Sequence, residues 1–220
     1  MRSRRTVLGL GLAATLAVAG GGLSSSAIAQ SAPIKIGYVA PLSGPAENFG
    51  KPNYLAFKDY IDDINAAGGV GGRKIEVVLE DDKCTPDQAV RSVRKLIADS
   101  SILAILGLPC SAVAAAMPNI VRGAELAVLS ASASGAPAKG AVENMFYVSP
   151  STYNQGRGLI KWAASARGAK RIALLRATDA YGSLSYDGIL SYISQMGLEL
   201  VADEAANRDA SDITAQFASI

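Results

Sequence analysis

The chain has 220 residues, with 21 Lys and Arg against 19 Asp and Glu, two cysteines and no histidine. The lack of histidine removes the commonest general base and metal ligand, leaving an enzyme only its harder routes. The near balance of charge argues against the clustered basic face of a nucleic-acid surface, so no nucleic-acid partner is expected.

The chain opens on a leader pattern. Arg2, Arg4 and Arg5 precede an apolar run from Val7 to Leu23, and Ala27-Ile28-Ala29 supplies a small-residue cleavage site. These three parts predict a secretory signal peptide over residues 1–29, cleaved after Ala29, with Gln30 the mature N-terminus. The run is short and rich in Gly and Ala, unlike a membrane span. Ser3-Arg4-Arg5-Thr6-Val7-Leu8 partly resembles a twin-arginine signal, and both export routes stay open. No cysteine follows the run, so lipid anchoring is not expected. Cleavage removes three arginines and no acid, which leaves a mature charge of about −1.

From Gln30 onward, strand and helix patterns alternate. Ile34 to Ala40 is apolar and β-prone, and Pro41-Leu42-Ser43-Gly44-Pro45 ends it. Phe57, Tyr60, Ile61 and Ile64 recur at helical spacing and predict a helix from about Lys51 to Ala67, stopped by Gly68 and Gly69. Lys74 to Glu80 reads as a strand. Thr85, Pro86 and Gln88 form a capping-box pattern ahead of the stripe Val90, Val93 and Ile97. Ile102 to Leu106 is almost purely apolar, as expected of a strand buried on both faces. A helix follows Ser111, with Pro118 placed to kink it. Leu126 to Leu129 is a strand, and Phe146 to Val148 reads as a short crossing segment. A helix from about Tyr153 to Ala166, a strand from Arg171 to Leu175, a helix to Met196, a strand from Leu198 to Ala202 and a helix starting near Ser211 or Asp212 complete the pattern.

Alternating βα units predict an α/β fold, a parallel sheet with helices on both faces. A break near Ser149-Pro150 divides it into an N-terminal lobe, residues 30–149, and a second lobe, residues 150–220. That second run has only two clear strands and stops inside a helical pattern. The chain is therefore expected to be incomplete, or a truncated product. In an exported protein the pair Cys84 and Cys110 points to a disulfide, two reduced buried thiols being the alternative.

The order of motifs resembles the leucine/isoleucine/valine-binding protein family, the type I periplasmic solute-binding proteins of ABC importers. The resemblance rests on Ile34-Lys35-Ile36-Gly37 with Leu42-Ser43-Gly44-Pro45, on Asp63 to Gly72, on Asp81 to Val90, on Cys110-Ser111, and on Asp179-Ala180-Tyr181-Gly182. It implies two Rossmann-like, doubly wound lobes, the second incomplete here, with the ligand in the cleft between them. It also implies a monomer that closes on a branched-chain amino acid or similar small carboxylate-bearing solute and delivers it to ABC permease subunits. No cofactor or metal is implied. Family members have about twice the mature length, and the missing part includes an acid that binds the ligand's ammonium group.

Ser111 follows a strand and opens a helix, where a hydroxyl and unpaired N–H groups suit a carboxylate; a plain N-cap serine is the alternative. By resemblance, the Ser132 carbonyl and the Ser134 hydroxyl meet the ammonium end. Phe49 stands where the family puts an aromatic against the ligand, or else packs in the core. Tyr181 stands at the lip of the second lobe, and Cys84 and Cys110 would stiffen the Ser111 loop. Three other readings remain. One is an extracellular sensing domain of the same fold, and one is a truncated remnant that binds nothing. The last is an enzyme, for which Asp81 and Asp82 are adjacent carboxylates after a strand. Their simpler role is a solvated turn ahead of Cys84. The chain lacks a G-x-S-x-G elbow, a Walker A loop and zinc spacing.

Overall fold

A computed structural model describes residues 32–133 and 142–220. The expected signal peptide and Ser134 lie outside the described residues. The first sheet has five parallel strands in the order β2-β1-β3-β4-β5: β1 is Ile34–Ala40, β2 Ile75–Asp81, β3 Ile102–Gly107, β4 Ala127–Ser130 and β5 Met145–Tyr147. The helices between them are α1 (Glu47–Ala66), α2 (Pro86–Ala98), α3 (Ser111–Ala116) and α4 (Pro118–Val121). A second sheet pairs β6 (Arg171–Ala177) with β7 (Glu199–Ala206), also in parallel. It is accompanied by α5 (Thr152–Arg167), α6 (Ala180–Gln195) and α7 (Thr214–Ala218). The expected α/β architecture with parallel strands is therefore observed.

The core of the first sheet lies against α2, α3 and α4. Val39, Ile105 and Val128 from the strands meet Val93, Leu96 and Val113 from the helices and Met117 from the junction of α3 and α4, each at most 1 % exposed. Burying such side chains is worth roughly 1.5–3 kcal/mol each relative to leaving them in water. Tyr38 packs beside α1, stacking on Phe57 with ring centres 4.5 Å apart. A smaller cluster of Ile160, Ile172, Leu174 and Ile193 joins α5 and α6 to β6.

Three local readings are revised by the structure. The segment near Phe146 is a fifth strand, paired in parallel with β4, not a crossing segment. Helix α1 begins at Glu47, ahead of the apolar periodicity. Its first turn sits directly on the end of β1, where a Cβ on Gly50 would stand 1.9 Å from the Pro41 carbonyl oxygen. Only a residue without a side chain allows that approach. The capping box does not form: the Thr85 hydroxyl donates to the Asp82 carbonyl, and Gln88 accepts from Arg91. Pro118 does interrupt its helix, as expected, dividing α3 from α4.

Candidate functional site

In a sheet of order 2-1-3-4-5 the chain leaves β1 toward one edge, crosses over it, and continues from β3 toward the other. The loops after β1 and β3 then diverge, opening a crevice at the carboxyl ends of these two strands, the usual binding place in open α/β sheets. Val39 pairs with Gly107, Ala40 with Asp81, and Gly107 with Ser130. The loops at residues 41–46, 82–85, 108–110 and 131–133 therefore share one edge.

Ser111 is the first residue of α3 and half-buried; the N-cap is Cys110, so Ser111 is not the capping serine. Among the described residues its hydroxyl has no hydrogen-bond partner. The turn that delivers it is tight. Gly107 and Leu108 both have positive φ, at 102° and 49°. A Cβ on Gly107 would stand 2.3 Å from the Val39 carbonyl oxygen, so glycine is required there. Leu108 is fully buried and its N–H donates to that same carbonyl at 2.7 Å.

The expected disulfide is present. Cys84 and Cys110 are bonded with their Cα atoms 5.7 Å apart. It fastens the loop after β2 to the residue immediately ahead of Ser111. The two acids beside it separate into different roles. Asp81 accepts from the Leu42 N–H at 2.9 Å, from the Ser43 hydroxyl at 2.5 Å and from the Lys83 N–H at 2.9 Å, so it holds the loop after β1. Burial acts to raise its pKa, but these hydrogen bonds outweigh it and hold the carboxyl below its ordinary range. Asp82 is not in a solvated turn. It is fully buried, its Oδ1 accepts from the Cys84 N–H at 2.8 Å, and its Oδ2 has no partner among the described residues. Burial pushes this carboxyl up to about 6, with a contribution from the neighbouring Asp81 charge.

Ser132 is fully buried, and its N–H donates to the Ser130 hydroxyl at 3.2 Å. That hydroxyl donates to the Leu108 carbonyl at 3.0 Å, while the Ala131 N–H donates to Gly107 at 2.7 Å. Ser130 thus couples the Ser132 loop to the Ser111 loop, a role that sequence reasoning missed. A buried serine closing a strand carries no signal until its partner strand is known.

Phe49 lies in the first turn of α1 and is 56 % exposed, so it does not pack in the core. Tyr181 lies in the first turn of α6, whose N-cap Asp179 accepts from the Gly182 N–H at 2.9 Å. The second sheet is joined to the first edge by the Thr152 N–H, which donates to the Ala133 carbonyl at 2.6 Å. Helices α3 and α6 also come into contact. Ser111, Ser132 and the disulfide are thus gathered on one strand edge, with Tyr181 on the helix that meets α3.

Residues 33–220 match the family described as periplasmic binding protein. The "Amino acid binding protein" of Pseudomonas aeruginosa is 27 % identical over 218 residues, which span 99 % of this chain and 56 % of that protein. The "Leu/Ile/Val-binding protein" of Escherichia coli K12 is 36 % identical over 89 residues, 40 % of this chain and 24 % of its own length. In three dimensions the chain is similar to the branched-chain amino acid transporter substrate binding protein LivJ from Streptococcus pneumoniae in complex with isoleucine. Here the TM-score is 0.73 at 25 % identity, over 86 % of this chain and 53 % of LivJ. The chain thus spans about half the length of these relatives where it aligns throughout.

Proposed function

The chain belongs to the periplasmic binding protein family, and from that premise we propose that it serves as the substrate-binding component of an ABC importer. In this reading residues 1–29 direct export to the periplasm and are removed, and residues 30–149 and 150–220 contribute to two lobes facing a cleft. The solute is a branched-chain amino acid or a similar small molecule carrying a carboxylate. It is passed to the permease, and no chemical step is performed on it.

The observation that carries this reading is the Ser111 hydroxyl, half-buried at the β1/β3 strand ends and without a hydrogen-bond partner among the described residues. A half-exposed hydroxyl at a helix start beside strand ends is placed to bond the carboxylate of a ligand. Ser132 and Ser134 would flank the ammonium end, and Phe49 and Tyr181 would contact the apolar part from either side. Contacts complete only in the closed form shift the hinge equilibrium toward closure, which is what a permease can recognise.

The test is calorimetric titration of the purified full-length protein with amino acids and organic acids. Binding confined to solutes bearing a carboxylate is expected, and a protein that takes only uncharged solutes refutes the reading. Ser111→Ala is expected to weaken binding by about 2 kcal/mol, roughly 30-fold, as for a hydrogen bond lost to a charged group. Unchanged affinity would remove Ser111 from the site.

A further inference from the structure

We propose that Arg208 and Gln155 are positioning residues that clamp the Tyr181 ring and tie it to the segment joining the two sheets; this rests on the reading that Tyr181 faces the solute. The backbone of Tyr181 is already fixed. A Cβ on Gly182 would stand 1.9 Å from the Ala177 carbonyl oxygen, so the first turn of α6 is seated on the end of β6. What remains free is the ring itself, which turns about two side-chain torsions.

The ring is held from two sides. The Arg208 guanidinium carbon lies 5.7 Å from the ring centre, within range of a cation–π contact. Its Nε and Nη2 both donate to Asp179 Oδ2, at 2.8 and 2.5 Å. The other carboxylate oxygen of Asp179 caps α6 through the Gly182 N–H. Asp179 therefore holds the helix start and the arginine together, and Arg208 in turn bounds the ring. On the far side the Tyr181 hydroxyl donates to Gln155 Oε1 at 3.3 Å.

Gln155 extends the clamp. Its Nε2 donates to the Pro150 carbonyl at 2.7 Å. The neighbouring Ser149 hydroxyl donates to the Ala131 carbonyl at 2.8 Å, in the loop after β4. Contacts thus run from the loop after β7, through Tyr181, to the connecting segment and on to the Ser132 loop. A rotation of the ring that breaks its contact with the solute also strains the connection about which the sheets would move.

A tyrosine χ1 has three staggered wells. Releasing the clamp spreads the ring over them, and apparent affinity falls by the fraction that remains competent. About threefold weaker binding is therefore expected for Arg208→Gln and for Gln155→Ala, with recovery of most of the loss in Arg208→Lys, which keeps a cation beside the ring.

The experiment combines two readouts on the full-length protein. Fluorine NMR of protein labelled with 3-fluorotyrosine, with the Tyr181 signal identified through Tyr181→Phe, reports the ring without any ligand. Both substitutions are expected to move that signal and leave the other tyrosines in place; an unmoved signal overturns the clamp. Calorimetry with L-leucine and L-isoleucine then compares Arg208→Gln in the native and Tyr181→Ala backgrounds. The threefold loss should vanish once the ring is gone, and an equal loss in both backgrounds overturns the proposal. Should Tyr181→Ala itself leave both affinities unchanged, the solute-facing role of Tyr181 fails, and with it the effect of the clamp on binding, while the fluorine signal still decides whether the clamp exists.

Discussion

Replacing both Cys84 and Cys110 by alanine is expected to lower the unfolding free energy by about 3 kcal/mol, read as a fall in the urea midpoint, with a steeper slope because the unlinked unfolded chain exposes more surface. The bond joins residues 26 apart in sequence, and in the chain-entropy account a loop of that size restricts the unfolded ensemble by about this amount. Alanine is preferred to serine because Cys110 is buried within the core cluster, where a new hydroxyl would add its own desolvation cost. Two consecutive residues at this junction, Lys83 and Cys84, have positive φ, at 51° and 59°. Such conformations persist only where surrounding contacts enforce them, so the loop ahead of Ser111 should also gain mobility. Faster amide exchange at residues 82–85 and 108–111 in the double variant would show this. An unchanged urea midpoint would mean that the bond contributes nothing to stability.

Asp82 should make the folded chain more stable in mild acid than this site allows at neutral pH. Its carboxyl titrates at about 6 when folded, against an ordinary 3.8, so the folded state binds the proton more tightly than the unfolded one. The stabilisation this provides is complete below about pH 4 and is lost as the pH rises through 6. The interval corresponds to about 3 kcal/mol. Asp81, Asp179 and Asp203 act in the opposite direction, because hydrogen bonds hold their carboxyls below the ordinary range and their contribution is lost as pH falls. Comparison with Asp82→Asn separates the two effects. The asparagine keeps an oxygen for the Cys84 N–H and cannot ionise. Denaturation of both proteins from pH 3 to pH 8 should show the variant gaining about 3 kcal/mol on the native chain across that range. Parallel curves would show that Asp82 titrates normally.

Much of the fold is legible in local pattern because the pattern is what the elements bury. The run Ile102 to Leu106 predicts a strand covered on both faces; β3 is a strand there with one further residue, but Leu103 is 64 % exposed, so only one face is fully covered. The spacing of Phe57, Tyr60, Ile61 and Ile64 predicts a helix from about Lys51, without its first turn. The first turn of α1 is stabilised by Gly50 meeting Pro41, a contact with no periodic signature. Met145–Tyr147 is too short to show any period, and it is a strand because Val128, Leu129 and Ser130 lie alongside it. Thr85 precedes its helix as expected, yet the Asp82 carbonyl takes its hydroxyl, so the reciprocal cap is lost to a neighbour three residues back.

The same division runs through the site. By itself the sequence determined the succession of βα units and the resemblance carried by Asp81 to Val90 and Cys110-Ser111, and it pointed to the pairing of two cysteines. Each of these follows from residue type and spacing along the chain. Only the tertiary structure decided that Asp81 faces the loop after β1 while Asp82 is sealed beneath it. It alone showed that Ser130 links two strand-end loops, and that Phe49 is exposed. The strand order 2-1-3-4-5 brings residues 42, 81, 110 and 130 to one edge. That order is fixed by which faces must be buried together, a long-range condition that no window of sequence contains.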